Sequence, residues 1–447
     1  MNFLSFKVIN LGCRVNRVES DVYMVALEAL GAISSDNDSL DLIIVNTCAV
    51  TAVAEKKTRK TIRRALRDFP RAKIVLTGCA SALNPESYQK MDARVVCVPK
   101  FELGEMLETR RGLAQLLLLS GIELAQNITF GCAIDGGFHN NVGFHNNVED
   151  DDINIPHLRI GDKFPTRVGI KVQDGCNNAC TFCIVHKARG TQTSRDVDAV
   201  LNEVKLYEAA GVREIVLTGI NIGSYDFVDV GGNRVDICGL LRALLANTSE
   251  CRFRISSIEP RNVSRELLEL MSQAQGRVAR QLHLPLQSGS QDILEEMHRP
   301  YSAEYFKKLV CDIYELMPNF SLSTDVIVGF PGESDADFEK TMQVSALSKF
   351  TKMHIFPYSK REGTPAARRE DQVSARVVDQ RMARITKMAR EMRRVEFERR
   401  FGKCEKIITE LDGRAMTESH FEIRLPESQE AGRLIDFVLN KDCELLG

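Results

Sequence analysis

Neither sign of charge dominates this chain: 59 Lys and Arg stand against 61 Asp and Glu in 447 residues, a net charge of -2. Overall electrostatics therefore names no partner, and any nucleic-acid surface must come from local clustering. Long hydrophobic runs are missing too. The most apolar stretch, "GLAQLLLLSGIELA", is too short and too interrupted to span a bilayer. No basic-then-apolar leader opens the chain. The 13 cysteines are not paired at the short intervals of a small secreted scaffold. These absences lead to the expectation of a cytoplasmic protein with no membrane partner and reduced thiols, several of them metal-binding.

What is present is strand–helix alternation, in a chain too long for one ordinary domain. In residues 1–125, "FKVIN", "LDLIIVNT", "KIVLTG" and "RVVCVP" read as buried strands, with helical patterns from Glu19 and Glu55. This predicts a doubly wound parallel sheet. Three strands run straight into loops carrying Cys13, Cys48 and Cys79. Ligands of open α/β sheets gather at the carboxyl ends of strands, so three cysteines distant in sequence can converge there. Residues 126–163 contain a direct repeat, GFHNNV, and read as a linker; its His139 and His145 read as solvated.

From 164 to 400 the alternation resumes in about six β/α units, fewer than the eight of a closed barrel, which predicts a partial (β/α)6 barrel with its site on the C-terminal strand ends. A basic helix, Ser374 to Arg400, follows, with an apolar stripe of Val378, Met382, Ile385, Met388, Met392 and Val395. Residues 401–447 carry short β-like runs and predict a small β-barrel. The fold class is thus α/β with a small all-β tail.

Directly after the first strand of the barrel series comes "QDGCNNACTFCIVHKARG", with Cys176, Cys180 and Cys183 in C-x3-C-x2-C spacing. Three thiolates can grip a four-iron cubane and leave one iron free for an outside ligand. Gly175 permits the tight entry. Zinc is the competing reading, since Cys180-x2-Cys183-x2-His186 with Cys176 would make a Cys3His site. Cys97, Cys132, Cys238, Cys251, Cys311, Cys404 and Cys443 lack ligand spacing and read mostly as small hydrophobes.

The cysteine spacing, Phe182 before the last cysteine and the partial barrel resemble radical S-adenosylmethionine enzymes. With "LGCRVN", "NTCAVT" and "LTGCAS" ahead of them and a small β tail behind, similar to a TRAM domain, nearly the whole chain resembles the methylthiotransferase family. That resemblance implies a cluster on Cys176, Cys180 and Cys183 whose free iron binds S-adenosylmethionine, and a second 4Fe–4S cluster on Cys13, Cys48 and Cys79 that holds sulfur for the product. "GCRVN", "NTCAVTAVAEKKTRKTIRRA" and "FPRAKIVLTGC" look most like the branch acting on tRNA N6-threonylcarbamoyladenosine, where a methylthio group is placed on C2 of the adenine next to the anticodon. The resemblance also implies a tRNA partner, an electron donor such as flavodoxin or ferredoxin, and a sulfur donor. It implies no catalytic side chain beyond the cluster ligands.

Other residues follow from position. Lys56, Lys60, Arg63 and Arg67 fall on one helical stripe that can line phosphates. Gly219, Asn221, Ser256, Glu259, Gln287, Ser288, Asp325 and Gly329 follow or end predicted strands and, with Phe182, are expected S-adenosylmethionine contacts. For Ser and Asp a cap or turn is the competing role. Gly332 reads as a turn residue. Arg189 and Arg299 are expected to meet carboxylate or phosphate. Where the family has a proline–aromatic pair after the third cluster cysteine, this chain has His186 and Lys187; "CASALNPE" likewise departs from the usual aromatic–Ala–Gln. The alternatives carried forward are a related methylthiotransferase acting on isopentenyladenosine or a ribosomal protein, a non-catalytic metal-stapled RNA-binding protein, and an electron carrier.

Overall fold

The computed structural model describes residues 4–35, 39–49, 51–121 and 166–446. The linker with its repeat, its two histidines and Cys132 lie outside the described residues. Those residues form two compact units: one takes in the chain up to 121 together with 175–177 and 184–191, the other takes in 166–174, 178–183 and 192–446.

The first unit is built on a five-stranded sheet. Its elements are β1 (Ser5–Asn10), α1 (Arg14–Ala29), β2 (Ile33–Ser34), β3 (Leu42–Thr47), α2 (Ala52–Asp68), β4 (Lys73–Gly78), α3 (Cys79–Leu83), α4 (Pro85–Gln89), β5 (Val95–Cys97), α5 (Lys100–Met106) and α6 (Arg110–Leu119). The strands run parallel in the order β2-β1-β3-β4-β5. Every residue of β3, "LIIVNT", is buried, because helices cover both faces of a parallel sheet. Leu42, Ile44 and Val75 pack with Leu27, Leu103 and Leu113. Ile43, Val45 and Ile74 pack with Ile62 and Tyr88 on the other side. The doubly wound arrangement expected from the sequence is what forms. Asn10 pairs with Asn46 and Thr47 with Gly78, so Cys13, Cys48 and Cys79 follow the ends of three adjacent strands.

The second unit begins with β6 (Arg167–Lys171) and β7 (Gln173–Asp174); the next helix, α7 (Val185–Arg189), belongs to the first unit. Then come β8 (Thr193–Ser194), α8 (Val197–Ala209), β9 (Glu214–Thr218), the hairpin β10 (Asp226–Val228) and β11 (Arg234–Asp236), α9 (Ile237–Asn247), β12 (Arg252–Ile255), α10 (Arg265–Gln273) and β13 (Gln281–His283). The barrel ends with α11 (Gln291–Glu296), α12 (Ala303–Leu316), β14 (Ser321–Val328), α13 (Asp335–Ser348) and β15 (Lys352–Pro357). Parallel ladders give β6-β9-β12 and β13-β14-β15. The bridges Phe253 to Val278 and Ser257 to His283 join the two halves, so six parallel strands make the expected open barrel.

After α14 (Ala375–Glu398) the chain forms β16 (Cys404–Thr409), β17 (Arg414–Thr417), β18 (Glu422–Arg424), β19 (Leu434–Val438) and β20 (Glu444–Leu446). These pair antiparallel in the order β19-β16-β17-β18-β20 around Phe397, Ile407, Phe421, Ile423 and Leu439. The apolar stripe expected on α14 fails at its end: Val395 is exposed, and Glu396 and Phe397 turn inward. The helix there hands its face from the barrel to the small sheet, which shifts the buried side.

The small sheet is locked to the N-terminal ends of the barrel strands. Glu214, Arg252 and Arg254 are fully buried. Arg252 donates to the carbonyl of Lys406 at 2.7 Å, and Arg254 to those of Glu418 (2.9 Å) and Thr417 (3.0 Å). Ser321 donates to the Ser419 carbonyl at 2.6 Å. A polar series continues upward from Arg254 through Gln281 and Ser323 to His283 and Asp325.

Candidate metal centres

In the first unit, Gly78 lets the end of β4 lie close against the end of β3. Gly78 has φ +90, and a Cβ there would stand 2.4 Å from Asn46 Oδ1 and 2.5 Å from the Thr47 carbonyl oxygen. Only glycine lets β4 turn against the end of β3 to present Cys79. Cys48 and Cys79 are buried and Cys13 is exposed.

Beneath them lies a buried polar net. Asn16 donates to Asn46 Oδ1 (2.6 Å) and to the Thr47 carbonyl (3.2 Å), and Asn46 donates back to the Asn16 carbonyl (3.0 Å). Cys13 Sγ donates to Asn16 Oδ1 at 3.2 Å. Arg189, from α7, completes the net. Its Nε donates to Cys79 Sγ at 3.2 Å, and Nη1 and Nη2 donate to the two oxygens of Glu19 at 2.9 and 3.2 Å. Both side chains of this ion pair are almost fully buried. Burial pushes the Cys79 thiol up; the Arg189 guanidinium acts against that, and neighbouring Cys13 reinforces it. A cation bound at this sulfur would favour the thiolate. Three sulfur donors on adjacent strand ends, with an oriented hydrogen-bond net below, fit the donor set of an iron–sulfur cluster.

In the C-x3-C-x2-C segment, Gly175 has φ +68, and a Cβ would lie 2.0 Å from the Thr191 carbonyl oxygen. That is the close backbone approach expected for it. The Cys176 amide donates to the Gly190 carbonyl at 3.2 Å. In the second unit, the Cys183 amide donates to the Cys180 carbonyl at 3.1 Å, and Thr181 anchors the turn to the carbonyls of Met297 (3.1 Å) and Glu296 (2.8 Å). Phe182 meets Phe330 edge-on at 6.5 Å and packs with Ile293, Met297 and Ala366. Its contacts here are the apolar packing that supports the loop.

Arg299 donates to Cys180 Sγ (3.1 Å) and to Glu259 Oε1 (2.6 Å). Arg189 and Arg299, expected to meet carboxylate or phosphate, each engage a glutamate carboxylate of the protein together with a cysteine sulfur. Glu259 Oε2, Ser256 Oγ and Thr218 Oγ1 are buried without a hydrogen-bond partner, which leaves polar atoms available at the C-terminal ends of β9 and β12. Asn221 instead serves the loops, accepting from the Glu259 amide (3.2 Å) and donating its own amide to Gln173 (2.9 Å). Gly219 allows close approach, since a Cβ would stand 2.8 Å from Gln173 Oε1.

Ser288 is fully buried, shares a hydrogen bond with Thr341 and accepts from the Ser290 amide. Gln287 takes a left-handed φ of 59 and bonds by its backbone to Asp325 and Ile327. Asp325 lies within β14 and pairs with His283 Nε2 at 3.3 Å; the His283 ring tilts against that of His354 at 5.7 Å. Gly329, φ +77, lies against Val378, and Gly332, φ +81, turns beside Arg369 and Asp371.

His186 and Lys187 are exposed on α7. Among the described residues no three His, Cys, Asp or Glu side chains stand close enough to share one metal ion; a cubane spreads its thiolates over separate irons. Of the remaining thiols, Cys238, Cys251 and Cys443 are buried, and Cys311 and Cys404 are exposed. Burial pushes Cys97 up to about 11 and Cys251 up to about 12, which disfavours the thiolate at both. Sequence reasoning missed Glu19, Asn16, Asn46, His283 and His354. Asn46 carried a signal, a polar residue inside the apolar run "LIIVNT".

Residues 170–344 match the family described as "Radical SAM superfamily", and residues 5–98 match "Uncharacterized protein family UPF0004". The chain is 33% identical to the "Threonylcarbamoyladenosine tRNA methylthiotransferase MtaB" of Bacillus subtilis, over 79% of this chain and 73% of that protein. It is 31% identical to the protein of the same name from Aquifex aeolicus, over 95% and 97% of the two chains. Among solved structures it resembles the radical S-adenosylmethionine methyltransferase TsrM of Kitasatospora setae, with a TM-score of 0.51, 15% identity, and coverage of 82% and 77%; at that identity the likeness shows the fold. This chain belongs to the radical S-adenosylmethionine methylthiotransferase family.

Proposed function

We propose that this protein is a tRNA methylthiotransferase that places a methylthio group on C2 of N6-threonylcarbamoyladenosine beside the anticodon. The names of its relatives support that substrate. The observation that carries the reaction class is the first unit's trio of cysteines on adjacent strand ends, in a chain that also bears C-x3-C-x2-C after a barrel strand. An electron carrier needs no such barrel, and a metal staple needs no buried orphan acceptors at its strand ends.

Cys176, Cys180 and Cys183 would hold the 4Fe–4S cluster that, when reduced, opens the sulfonium of S-adenosylmethionine. Cys13, Cys48 and Cys79 would hold a second. The protein's own groups bind and orient. Glu259 Oε2 and Ser256 Oγ offer an acceptor and a hydroxyl for the polar parts of the nucleotide, while Arg299 holds Glu259 in place through Oε1. Phe182 and Phe330 give the cysteine loop an apolar support.

The tRNA would lie on α2. Its apolar side, Ile62 and Ala65, is buried, whereas Lys56, Lys57, Lys60, Arg63 and Arg67 are exposed. Such a cationic face suits phosphates. Several arginines of α14 and the turn after it are engaged within the protein instead: Arg381 pairs with Glu333 and Asp335, Arg394 with Glu391 and Glu398, and Arg400, past the helix end, with Glu396 and Glu405. Among the described residues no helix is long and apolar enough to cross a membrane; a cytoplasmic location, a flavodoxin or ferredoxin as reductant, and a separate sulfur donor belong to this reading. The test is mass analysis of tRNA digests from a deletion strain. Loss of the methylthio form with accumulation of N6-threonylcarbamoyladenosine is expected; unchanged digests would refute the assignment, and loss of the isopentenyl form would move it to the sister substrate.

A further inference from the structure

Arg299 and Arg189 each donate to a cysteine sulfur and are each held by a buried glutamate: Arg299 between Cys180 and Glu259, and Arg189 between Cys79 and Glu19. Arg189 is the more telling. It follows closely on the C-x3-C-x2-C segment in sequence, yet its helix packs on the first unit, where Ile184 and Ala188 join the core around Ile43 and Ile62. Isolated burial of a guanidinium is costly, and this one is spent on a sulfur, a carboxylate and Asn16 Oδ1 (3.3 Å).

We propose that Arg189 is a positioning residue that sets the electron affinity of the cluster held by Cys13, Cys48 and Cys79, with Glu19 limiting its effect. The inference rests on the reading of those cysteines as cluster ligands. A hydrogen bond to a ligand sulfur and a nearby positive charge both favour the more reduced, more negative cluster, and so raise its potential. Arginine cannot shed its proton to escape burial, so its charge is permanent. Glu19, bidentate on the same guanidinium, supplies an opposing negative charge within reach of the same sulfur. The two side chains therefore act on the potential with opposite signs. A merely mechanical role has no such sign.

The test uses the full-length chain with Cys176, Cys180 and Cys183 changed to Ala, loaded with iron and sulfide under anaerobic conditions and titrated by electron paramagnetic resonance. Arg189→Met should lower the midpoint potential and Glu19→Gln should raise it. Each should change the reduced-to-oxidised ratio at fixed potential by roughly tenfold, about 59 mV for a one-electron couple. Equal potentials in all three proteins, or shifts of the same sign, overturn the inference. Should Arg189→Met fail to hold iron, Glu19→Gln decides alone: a rise supports the assignment, and no change or a fall overturns it. Failure of the starting triple-Ala chain to take up iron would instead overturn the reading of the centre itself.

Discussion

Arg299 stands 3.1 Å from the sulfur of Cys180, so the "RPYS" segment it opens is tied to the middle cysteine of the C-x3-C-x2-C segment. The same guanidinium holds Glu259 with one oxygen engaged and the other buried without a partner. A carboxylate fixed in that way is an acceptor waiting for a donor. Glu259→Gln keeps the shape and removes the charge. A hydrogen bond to a charged group contributes roughly 1.5–3 kcal/mol, so S-adenosylmethionine binding should weaken about tenfold or more, with iron content unchanged. Equilibrium dialysis checks it; unaltered affinity would mean that Glu259 serves Arg299 alone.

The two cysteine sets should separate by activity. Cys180→Ala should abolish reductive cleavage of S-adenosylmethionine to 5′-deoxyadenosine. Cys48→Ala should spare that cleavage and stop sulfur insertion. The unmutated chain should reconstitute with about eight irons and each variant with about half of them, because each cubane holds four. Equal loss of both activities in Cys48→Ala would argue against separate roles, and stoichiometric zinc with no iron would favour a metal staple.

Much of this was legible in the sequence because the chemistry sits where periodicity changes. "LIIVNT" is buried throughout and "KIVLTG" almost so, while "FKVIN" is mostly half-buried, and each cysteine comes within three residues of the last apolar one. Side-chain direction was not legible. Ser288 and Asn221 sit near strand ends, and the hydrogen bonds they make to neighbouring loops could not be read from that position. Arg189 and Arg299 read as partners for carboxylates, which they are, but only long-range packing brings Cys79 and Cys180 to them as well. The docking of the small sheet was hidden for the same reason, since Glu214, Arg252 and Arg254 occur in strands that otherwise read as apolar.

The basic face of α2 gives a prediction with a built-in control. Lys56, Lys60 and Arg63 are exposed, and none touches the apolar side formed by Ile62 and Ala65. Replacing all three by Ala should leave thermal stability within about 0.5 kcal/mol per site, as for ordinary surface positions. tRNA affinity should fall, and the slope of log affinity against log salt should shrink by about 2 to 3. Filter binding over a salt series reads both quantities. An unchanged slope would place the phosphates elsewhere.

Glu214 carries the last prediction, which concerns stability and pH. Its carboxylate is fully buried; burial alone would raise its pKa, but Arg252 and Arg254 outweigh that and hold it well below the usual carboxylate range. With its folded pKa depressed, its contribution is present above the unfolded value of about 4.3 and is lost only as pH falls through the folded one. Glu214→Gln leaves two buried guanidiniums, which also hold the small sheet through Lys406, Thr417 and Glu418, without their counter-charge. Removing one partner of a buried ion pair costs about 3–5 kcal/mol. The stability gap between the native chain and the variant should therefore be of that size and flat from pH 8 to about 5, then narrow in acid. Urea titrations across that range measure it. A gap that instead grew toward acid would mean that Glu214 is protonated in the native fold and that the lock on the small sheet is not ionic.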